Sequence, residues 1–271
     1  NNCGQWGTSV HFPAFSLYGW GGMCYTDPKS TDTFCQQRSL TMKIALSYAM
    51  AGEIASILPP EAQPLETVAG VPFYAIDENI TAYCGGIGKV NAAMATQLCI
   101  DRYHPDLILN AGVAGSFQDL PIGTIVLADS LIQHDVDTSP IGDPVGLVST
   151  VNRLEFPVER LEQAKALLDA QGVSYVTGKV ASGDAFMVKG ERADWVAETF
   201  SPTLCEMEGC AVAQVCLRNG VDFLALKSVS DRLCMENSPG EYFNFAQAME
   251  QLNAVVLPLA RALRDLPTAT L

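Results

Sequence analysis

Three acidic residues stand shortly after apolar segments that have the pattern of buried strands. Glu53 follows KIALSY, Glu208 follows TLCE, and Asp231 follows FLALKSVS. Carboxyl groups at such positions can protonate a leaving group, activate water or bind hydroxyl groups. Each also has an ordinary structural explanation, because a negative charge near a helix start contributes about 0.3–1 kcal/mol and Asp231 could begin a loop or cap a helix. The three positions therefore indicate a candidate acid–base site and leave the individual roles open.

The elements that must position these carboxylates alternate along the chain from about residue 42. Apolar strands such as KIALSY and DLILNAG are followed by helical segments such as 89–104 and 243–266. The segment 156–172 predicts a helix with Pro157 near its start and Gly172 just after its end. Such alternation predicts a central sheet covered by helices on both faces. Ligands of these sheets collect beyond the carboxyl ends of the strands, where the three acids lie.

The charge balance of the chain is strongly acidic. Sixteen Lys plus Arg against 30 Asp plus Glu give a net charge of −14. This charge repels nucleic acid and anionic membrane surfaces, so we expect neither as a partner. No uninterrupted apolar stretch reaches the roughly 18 residues that a membrane span requires. A small molecule is the expected ligand.

Cysteine and histidine are few and scattered. The nine cysteines form no CxxC pair, and only three histidines are present, so a zinc site has few candidate ligands. Cys205, Cys210 and Cys216 lie among apolar residues and are interpreted as small core side chains. We therefore expect no metal and a reducing, cytoplasmic setting.

Residues 1–41 differ in composition from the rest of the chain. They are rich in Gly, Ser, Thr and aromatic residues and show no sustained helix or strand period. We interpret them as an extension of unknown role, either artefactual or poorly structured. The folded domain is expected to span residues 42–271.

Seven short motifs occur together in this domain in a specific order. They are AMAGEI at 49–54, GGIGKVNAA at 85–93, NAGVAG at 110–115, HDVD at 134–137, ASGDAF at 181–186, EMEGCAVAQV at 206–215 and SVSD at 228–231. With them the chain resembles the 5′-methylthioadenosine/S-adenosylhomocysteine nucleosidases, a hydrolytic branch of the purine nucleoside phosphorylase superfamily. The resemblance implies a three-layer α/β/α sandwich with a central mixed, twisted sheet. It also implies a nucleoside substrate, a homodimer, and no metal or organic cofactor.

The resemblance assigns a role to each matching position. Asp231 matches the acid that protonates adenine N7 as the base departs, and Glu53 matches the carboxylate that activates the attacking water. Glu208 matches the residue that binds the ribose hydroxyls. The remaining matches are substrate-binding: Met207 along the nucleoside, Phe186 and Met187 at the adenine, Val113, Ala114 and Gly115 in the loop beneath ribose and base, and Ser230 orienting Asp231.

Three positions depart from the family pattern. Val113 stands where the family often carries Ser, and Lys227 stands where it often carries Arg, so that a planar ion pair becomes a point charge. Ile141 lies in a loop where an aromatic residue of the partner subunit caps the 5′ substituent in the family. The adenine end of the substrate is therefore better defined than the 5′ end, which could be methylthio, homocysteinyl or 5′-deoxy.

Two other functions remain open from the sequence. A phosphorolytic purine nucleoside phosphorylase would need cationic contacts for phosphate, whereas SYAMAGE and NAGVAG contain no Arg or Lys and Glu53 would repel the anion. A non-catalytic nucleoside-binding protein would have no need of Glu53. A nicotinamide-dependent dehydrogenase is excluded because no GxGxxG follows the first strand.

Overall fold

The computed structural model describes residues 41–233 and 243–266. The predicted extension, residues 1–41, lies outside the described residues except for Thr41, and its interpretation stays a prediction. None of the helices within the described ranges is long and apolar enough to cross a membrane.

Ten strands lie in the described part of the chain. They are β1 Ile44–Tyr48, β2 Glu66–Val68, β3 Val71–Asp77, β4 Ile80–Cys84, β5 Leu107–Ser116, β6 Ile125–Gln133, β7 Phe156–Pro157, β8 Tyr175–Ser182, β9 Leu204–Glu206 and β10 Asp222–Arg232. Six α-helices accompany them: α1 Ala51–Ile54, α2 Lys89–Tyr103, α3 Leu161–Ala170, α4 Glu191–Phe200, α5 Gly209–Asn219 and α6 Phe245–Arg264.

One predicted boundary is wrong. The helix expected over 156–172 begins only at Leu161, and Phe156–Pro157 form a short strand that pairs with β6. Phe156 is fully buried and lies opposite Leu131. Pro157 has no N–H to donate to a ladder, which restricts it to short or edge strands such as this one. Burial of Phe156 therefore outweighs the helix-start signal that Pro157 gives.

All ten strands form one mixed sheet. The order is β10-β6-β8-β9-β5-β1-β4-β3-β2, with β7 attached to β6 and a further pairing between β10 and β5. This further pairing closes β10, β6, β8, β9 and β5 into a ring, from which the other strands extend. Strands β1, β4, β5 and β10 run parallel to one another, whereas β6 lies antiparallel to β10. The expectation of a mixed sheet is confirmed.

Two apolar cores lie on the two faces of the sheet. Alternate residues of β1, such as Leu46 and Ala45, belong to different cores, as the period of two in a strand requires. The first core contains residues of α3 and α6, including Leu168 and Leu252. The second contains residues of α2 and α5. The three-layer α/β/α arrangement is thereby confirmed.

The carboxyl ends of β5 and β10 meet the short strand β9 at one place. The end of β5 pairs antiparallel with β9 over only two residues, with Gly115 opposite Cys205. On the other side of β5, Gly115 lies opposite Asp231 of β10, after a bulge that inserts Ser230 into the ladder. A bulge turns the following side chain to a new direction and commonly occurs beside active sites. Asp231 thus lies beside Gly115, across β5 from Cys205.

Candidate active site

A cavity of about 120 Å³ lies where these strand ends meet. Every site residue predicted from the sequence lines it: Glu53, Val113, Ala114, Gly115, Phe186, Met187, Met207, Glu208, Ser230 and Asp231. It is also lined by Ala49, Met50, Ile87, Ala185, Cys205, Glu206 and Phe243. Only four of these side chains are acidic, and the rest of the wall is mainly apolar.

Glu53 is held at the cavity wall by the backbone. Its Oε2 accepts hydrogen bonds from the amides of Ala49 and Met50, both at 3.0 Å, and its Oε1 accepts one from Val113 at 3.2 Å. The side chain is almost completely buried. Burial raises the pKa of Glu53 above its ordinary value, although the amides and the charge of Lys227 oppose the shift. The result is a fixed carboxylate that is more basic than one in water.

A buried ion pair joins Glu206 in the cavity wall to Lys227 behind it. Lys227 Nζ contacts Glu206 Oε2 at 2.9 Å, and both side chains are at most 3% exposed. Glu206 also accepts hydrogen bonds from Ser182 Oγ and from the amide of Gly209 at the start of α5. Burial acts to raise the pKa of Glu206, but Lys227 and these donors bring it below the ordinary value. Glu206 is therefore held as an anion.

Glu208 has a pKa near neutrality. Its Oε1 accepts a hydrogen bond of 2.7 Å from the amide of Gly88, just before α2. Burial and then the negative charge of Glu206 raise its pKa to about 7. Glu208 therefore carries a charge that depends on small changes of pH around neutrality.

Asp231 occupies a different environment from the three glutamates. Its Oδ1 accepts a hydrogen bond of 2.7 Å from Ser230 Oγ, which agrees with the predicted orienting role of Ser230. Its Oδ2 lies 2.7 Å from the position that a Cβ on Gly115 would take, so only glycine fits there. Burial raises the pKa of Asp231, and the serine opposes the shift. This carboxyl group therefore keeps its proton to a higher pH than an exposed aspartate.

The residues at the outer part of the cavity are apolar. Phe186 is 63% exposed and lies edge-on to Phe243 with ring centroids 6.0 Å apart. Ile141, predicted from its sequence position to lie near the 5′ end, is 83% exposed and is not part of the cavity wall. In this single chain, therefore, the loop that contains Ile141 does not cover the cavity.

Sequence reasoning placed Lys227 in an ion pair but missed Glu206 as its partner. Glu206 belongs to the EME motif, yet only the second glutamate receives a role from the resemblance. Lys227 lies within the apolar strand segment FLALKSVS, and a cation in such a run needs a buried partner. The sequence does not show which acid is that partner. Within the described residues, no group of three or more His, Cys, Asp or Glu side chains is arranged to hold a metal ion.

The fold belongs to a known class. A family model described as the phosphorylase superfamily matches residues 43–263, nearly the whole of the described domain. The chain therefore belongs to this superfamily.

Individual relatives show which family within this superfamily the chain belongs to. A 5′-methylthioadenosine/S-adenosylhomocysteine nucleosidase of Shewanella halifaxensis is 38% identical over 199 residues, which cover 70% of this chain and 86% of the relative. The solved structure of a nucleosidase of the same name from Colwellia psychrerythraea, in complex with adenine, has a TM-score of 0.73 at 31% identity and covers 84% of this chain and 98% of its own. The native futalosine hydrolase of Helicobacter pylori has a TM-score of 0.73 at 29% identity, covering 82% and 98%. The chain belongs to the 5′-methylthioadenosine/S-adenosylhomocysteine nucleosidase family, a family of glycosidic hydrolases, and the resemblance stated from its motifs is confirmed.

Proposed function

We propose that this enzyme hydrolyses the N-glycosidic bond of 5′-substituted adenosines and releases adenine. The observation that carries the proposal is the placement of Glu53, Glu208 and Asp231 around one apolar cavity, each with a different partner set. A pair of acids whose environments separate their protonation states is the pattern of acid–base catalysis. The names of the relatives support the substrate class.

Asp231 is the acid in this proposal. Departure of adenine pushes an electron pair into the purine ring, and a proton delivered to N7 makes the base a better leaving group. A positioned acid of this kind contributes about 10²–10⁴-fold to the rate. The raised pKa of Asp231 supports the role, since the proton must still be present when substrate binds.

Glu53 and Glu208 act on the sugar. As the C1′–N9 bond breaks, positive charge develops on the ribose, and carboxylates in a poorly solvated cavity stabilise it. Glu53 accepts a proton from the water that attacks C1′, and Glu208 accepts hydrogen bonds from the ribose hydroxyls. The fixed orientation of Glu53 by three amides supports its role, because the water is then directed without reorganisation.

Water is a better co-substrate for this cavity than phosphate. No Arg or Lys side chain lines the described cavity, and Lys227 behind it is paired with Glu206. A phosphate dianion would meet several carboxylates and no free cation there. Adenine release that is equally fast with and without phosphate is the expected result, and strict phosphate dependence would contradict hydrolysis.

The pH dependence of substrate affinity should follow Glu208. Its pKa is raised to about 7, so the carboxylate that accepts ribose hydroxyl bonds is present above pH 7 and is lost as the pH falls through that value. We expect KM to rise by up to about tenfold between pH 8 and pH 6, since hydrogen bonds to a charged acceptor are the stronger ones. KM measured across this range in wild type and in Glu208→Gln tests it. A variant with the same pH profile as wild type would contradict the assignment.

We also propose a homodimer in a reducing, cytoplasmic setting. Exposed apolar side chains support the dimer: Ile87, which lines the cavity, and Val90 and Met94 of α2 are 52%, 78% and 39% exposed. An apolar patch next to a site commonly marks an interface. Sedimentation velocity at micromolar concentration should give twice the chain mass, and a monomer would contradict the proposal. The free cysteines among the described residues agree with reducing conditions.

A substrate panel tests the function as a whole. Methylthioadenosine, adenosylhomocysteine, 5′-deoxyadenosine, futalosine and inosine are each incubated with the full chain, and the released base is identified by chromatography. Release of adenine from at least one 5′-substituted adenosine, with little hypoxanthine from inosine, supports the proposal. No base release from any adenosine derivative, with nucleoside binding retained, would instead support a binding protein.

A further inference from the structure

The HDVD segment has no role in the proposed mechanism, yet Asp135 within it occupies a central position. Its Oδ1 accepts a hydrogen bond of 2.6 Å from Lys89 Nζ, and its Oδ2 accepts one of 2.8 Å from the amide of Asp184. The carboxylate of Asp184 in turn accepts a hydrogen bond of 2.7 Å from the amide of Lys89. Three hydrogen bonds thus form a closed ring through Lys89, Asp135 and Asp184.

This ring joins two parts of the cavity wall. On one side, Asp184 directly precedes Ala185, Phe186 and Met187, which line the cavity at the proposed base end. On the other side, Lys89 is the first residue of α2, and the amide of its neighbour Gly88 donates to the carboxylate of Glu208. Asp135 itself does not line the cavity.

The residue before Asp135 restricts the same turn. His134 is buried at the end of β6, and its amide donates to the carbonyl of Ser182 at 3.0 Å. A Cβ on Gly183 would lie 2.3 Å from His134 Cε1 and Nε2, so the imidazole of His134 lies directly against the backbone of the turn. His134 and Asp135 therefore contact two successive residues, Gly183 and Asp184, from the same side.

We infer that Asp135 is a positioning residue that sets the base-binding turn and the ribose carboxylate relative to each other. The inference rests on the proposed function, because it assigns base and ribose contacts to these two parts of the wall. Asp135 accepts from the turn with one oxygen and from the side chain at the start of α2 with the other, so that neither can shift alone. Its half-buried side chain, 17% exposed like that of Lys89, weakens solvent screening of the pair.

The charge of Asp135 supports this role. Burial acts to raise the pKa of Asp135, but the hydrogen bond from Lys89 and the amide of Asp184 bring it below the ordinary value. The carboxylate therefore stays charged at any pH at which the enzyme is expected to work. Hydrogen bonds to a charged acceptor are shorter and about twice as strong as neutral ones.

The test replaces Asp135 with Asn and uses adenine itself as the probe. Asparagine has one acceptor oxygen, so it can receive either the Asp184 amide or Lys89 but not both, and its charge is absent. We expect KM and the inhibition constant of adenine to rise together by about tenfold, with a smaller decrease in kcat. A purely structural role would lower the melting temperature and the active fraction while leaving both constants unchanged.

Asp77→Asn is the matched control. Asp77 also accepts from one backbone amide, that of Asn79 at 3.1 Å, and from a cation, Arg264 at 2.7 Å, with Arg261 farther away at 3.7 Å. It lies at the end of β3 away from the cavity. The Asp77→Asn variant should have the KM and the adenine inhibition constant of wild type. Asp135→Asn values within about twofold of wild type would overturn the inference. Wild type that neither binds adenine nor releases it would instead contradict the proposed function.

A second variant keeps the test decisive if Asp135→Asn does not fold. Lys89→Met retains the carboxylate of Asp135 and its bond from Asp184 but removes the cation that lowers its pKa. The affinity for adenine should then weaken in acid at a higher pH than in wild type, as Asp135 takes up a proton. An identical pH dependence of adenine inhibition in the two proteins would overturn the inference.

Discussion

Replacing Asp231 with Asn is expected to lower kcat by about 10²–10⁴-fold while leaving nucleoside binding measurable. The amide has no proton acidic enough to transfer to a departing base. Its size matches that of the carboxyl group, so the close contact with Gly115 remains and its oxygen can still accept from Ser230 Oγ. The loss should therefore fall on the chemical step. Initial rates of adenine release give kcat, and calorimetric titration with a slowly hydrolysed substrate gives the affinity.

A control for this variant lies on the same strand. Asp222 begins β10, far from the cavity, and its Oδ2 accepts a hydrogen bond of 2.6 Å from Arg160 Nε. Asp222→Asn removes an aspartate charge without touching the site and should leave kcat unchanged. Near-normal turnover in Asp231→Asn, with Asp222→Asn also active, would show that another group protonates the base.

The pH dependence of kcat follows from the direction in which the pKa of Asp231 is shifted. Burial raises the pKa of Asp231, so the protonated acid is present below that value and is lost as the pH rises through it. Turnover should fall on the alkaline side for this reason. In Asp231→Asn this limb should be absent from the residual activity.

The sequence predicts that Glu53, Glu208 and Asp231 lie close together because each stands at the end of a strand. In an α/β fold the apolar strands are recognisable from short runs of buried residues, and the position after each strand is then known. Glu53, Glu208 and Asp231 all follow such runs, and all three line the same cavity. The motifs were needed to predict the reaction. The position of an acid at a strand end can also be explained by a purely structural role.

The partners of these residues could not be predicted in the same way. The closure of β10 onto both β5 and β6 joins strands that are far apart in sequence, and no local pattern encodes such pairing. The ion pair of Lys227 with Glu206 and the ring of hydrogen bonds through Asp135 could not be predicted either. Their members are 21 to 95 residues apart in the sequence. At Phe156 a local pattern exists and is misleading. The burial of Phe156 in the folded protein overrides the local helix signal.

Replacing Glu53 with Gln is expected to reduce kcat by about 10²–10⁴-fold and to leave adenine affinity nearly unchanged. The amide cannot accept a proton from the attacking water. It also cannot accept from all three backbone amides, because its NH₂ group must face either Val113 or the pair Ala49 and Met50. Single-turnover measurements of adenine release separate this loss from any change in binding.

A control for the charge change is Glu66→Gln. Glu66 lies on β2 at the edge of the sheet, where its Oε1 accepts from Tyr103 Oη at 2.9 Å, and this variant should retain full turnover. Wild-type turnover in Glu53→Gln would contradict the assignment of Glu53 as the group that activates water.

Gly112→Ala separates the position of Glu53 from its charge. A Cβ on Gly112 would lie 2.8 Å from Glu53 Oε1, so the carboxylate must shift although its chemistry is unchanged. If the three amides serve to direct the carboxylate at the water, this variant should also lose most of its turnover, because small displacements of a catalytic group are costly.

The raised pKa of Glu53 predicts how turnover depends on pH. The deprotonated base is lost as the pH falls through that pKa. Gly112→Ala should then keep an acidic limb in its residual activity, whereas Glu53→Gln, which has no group to protonate there, should lack it.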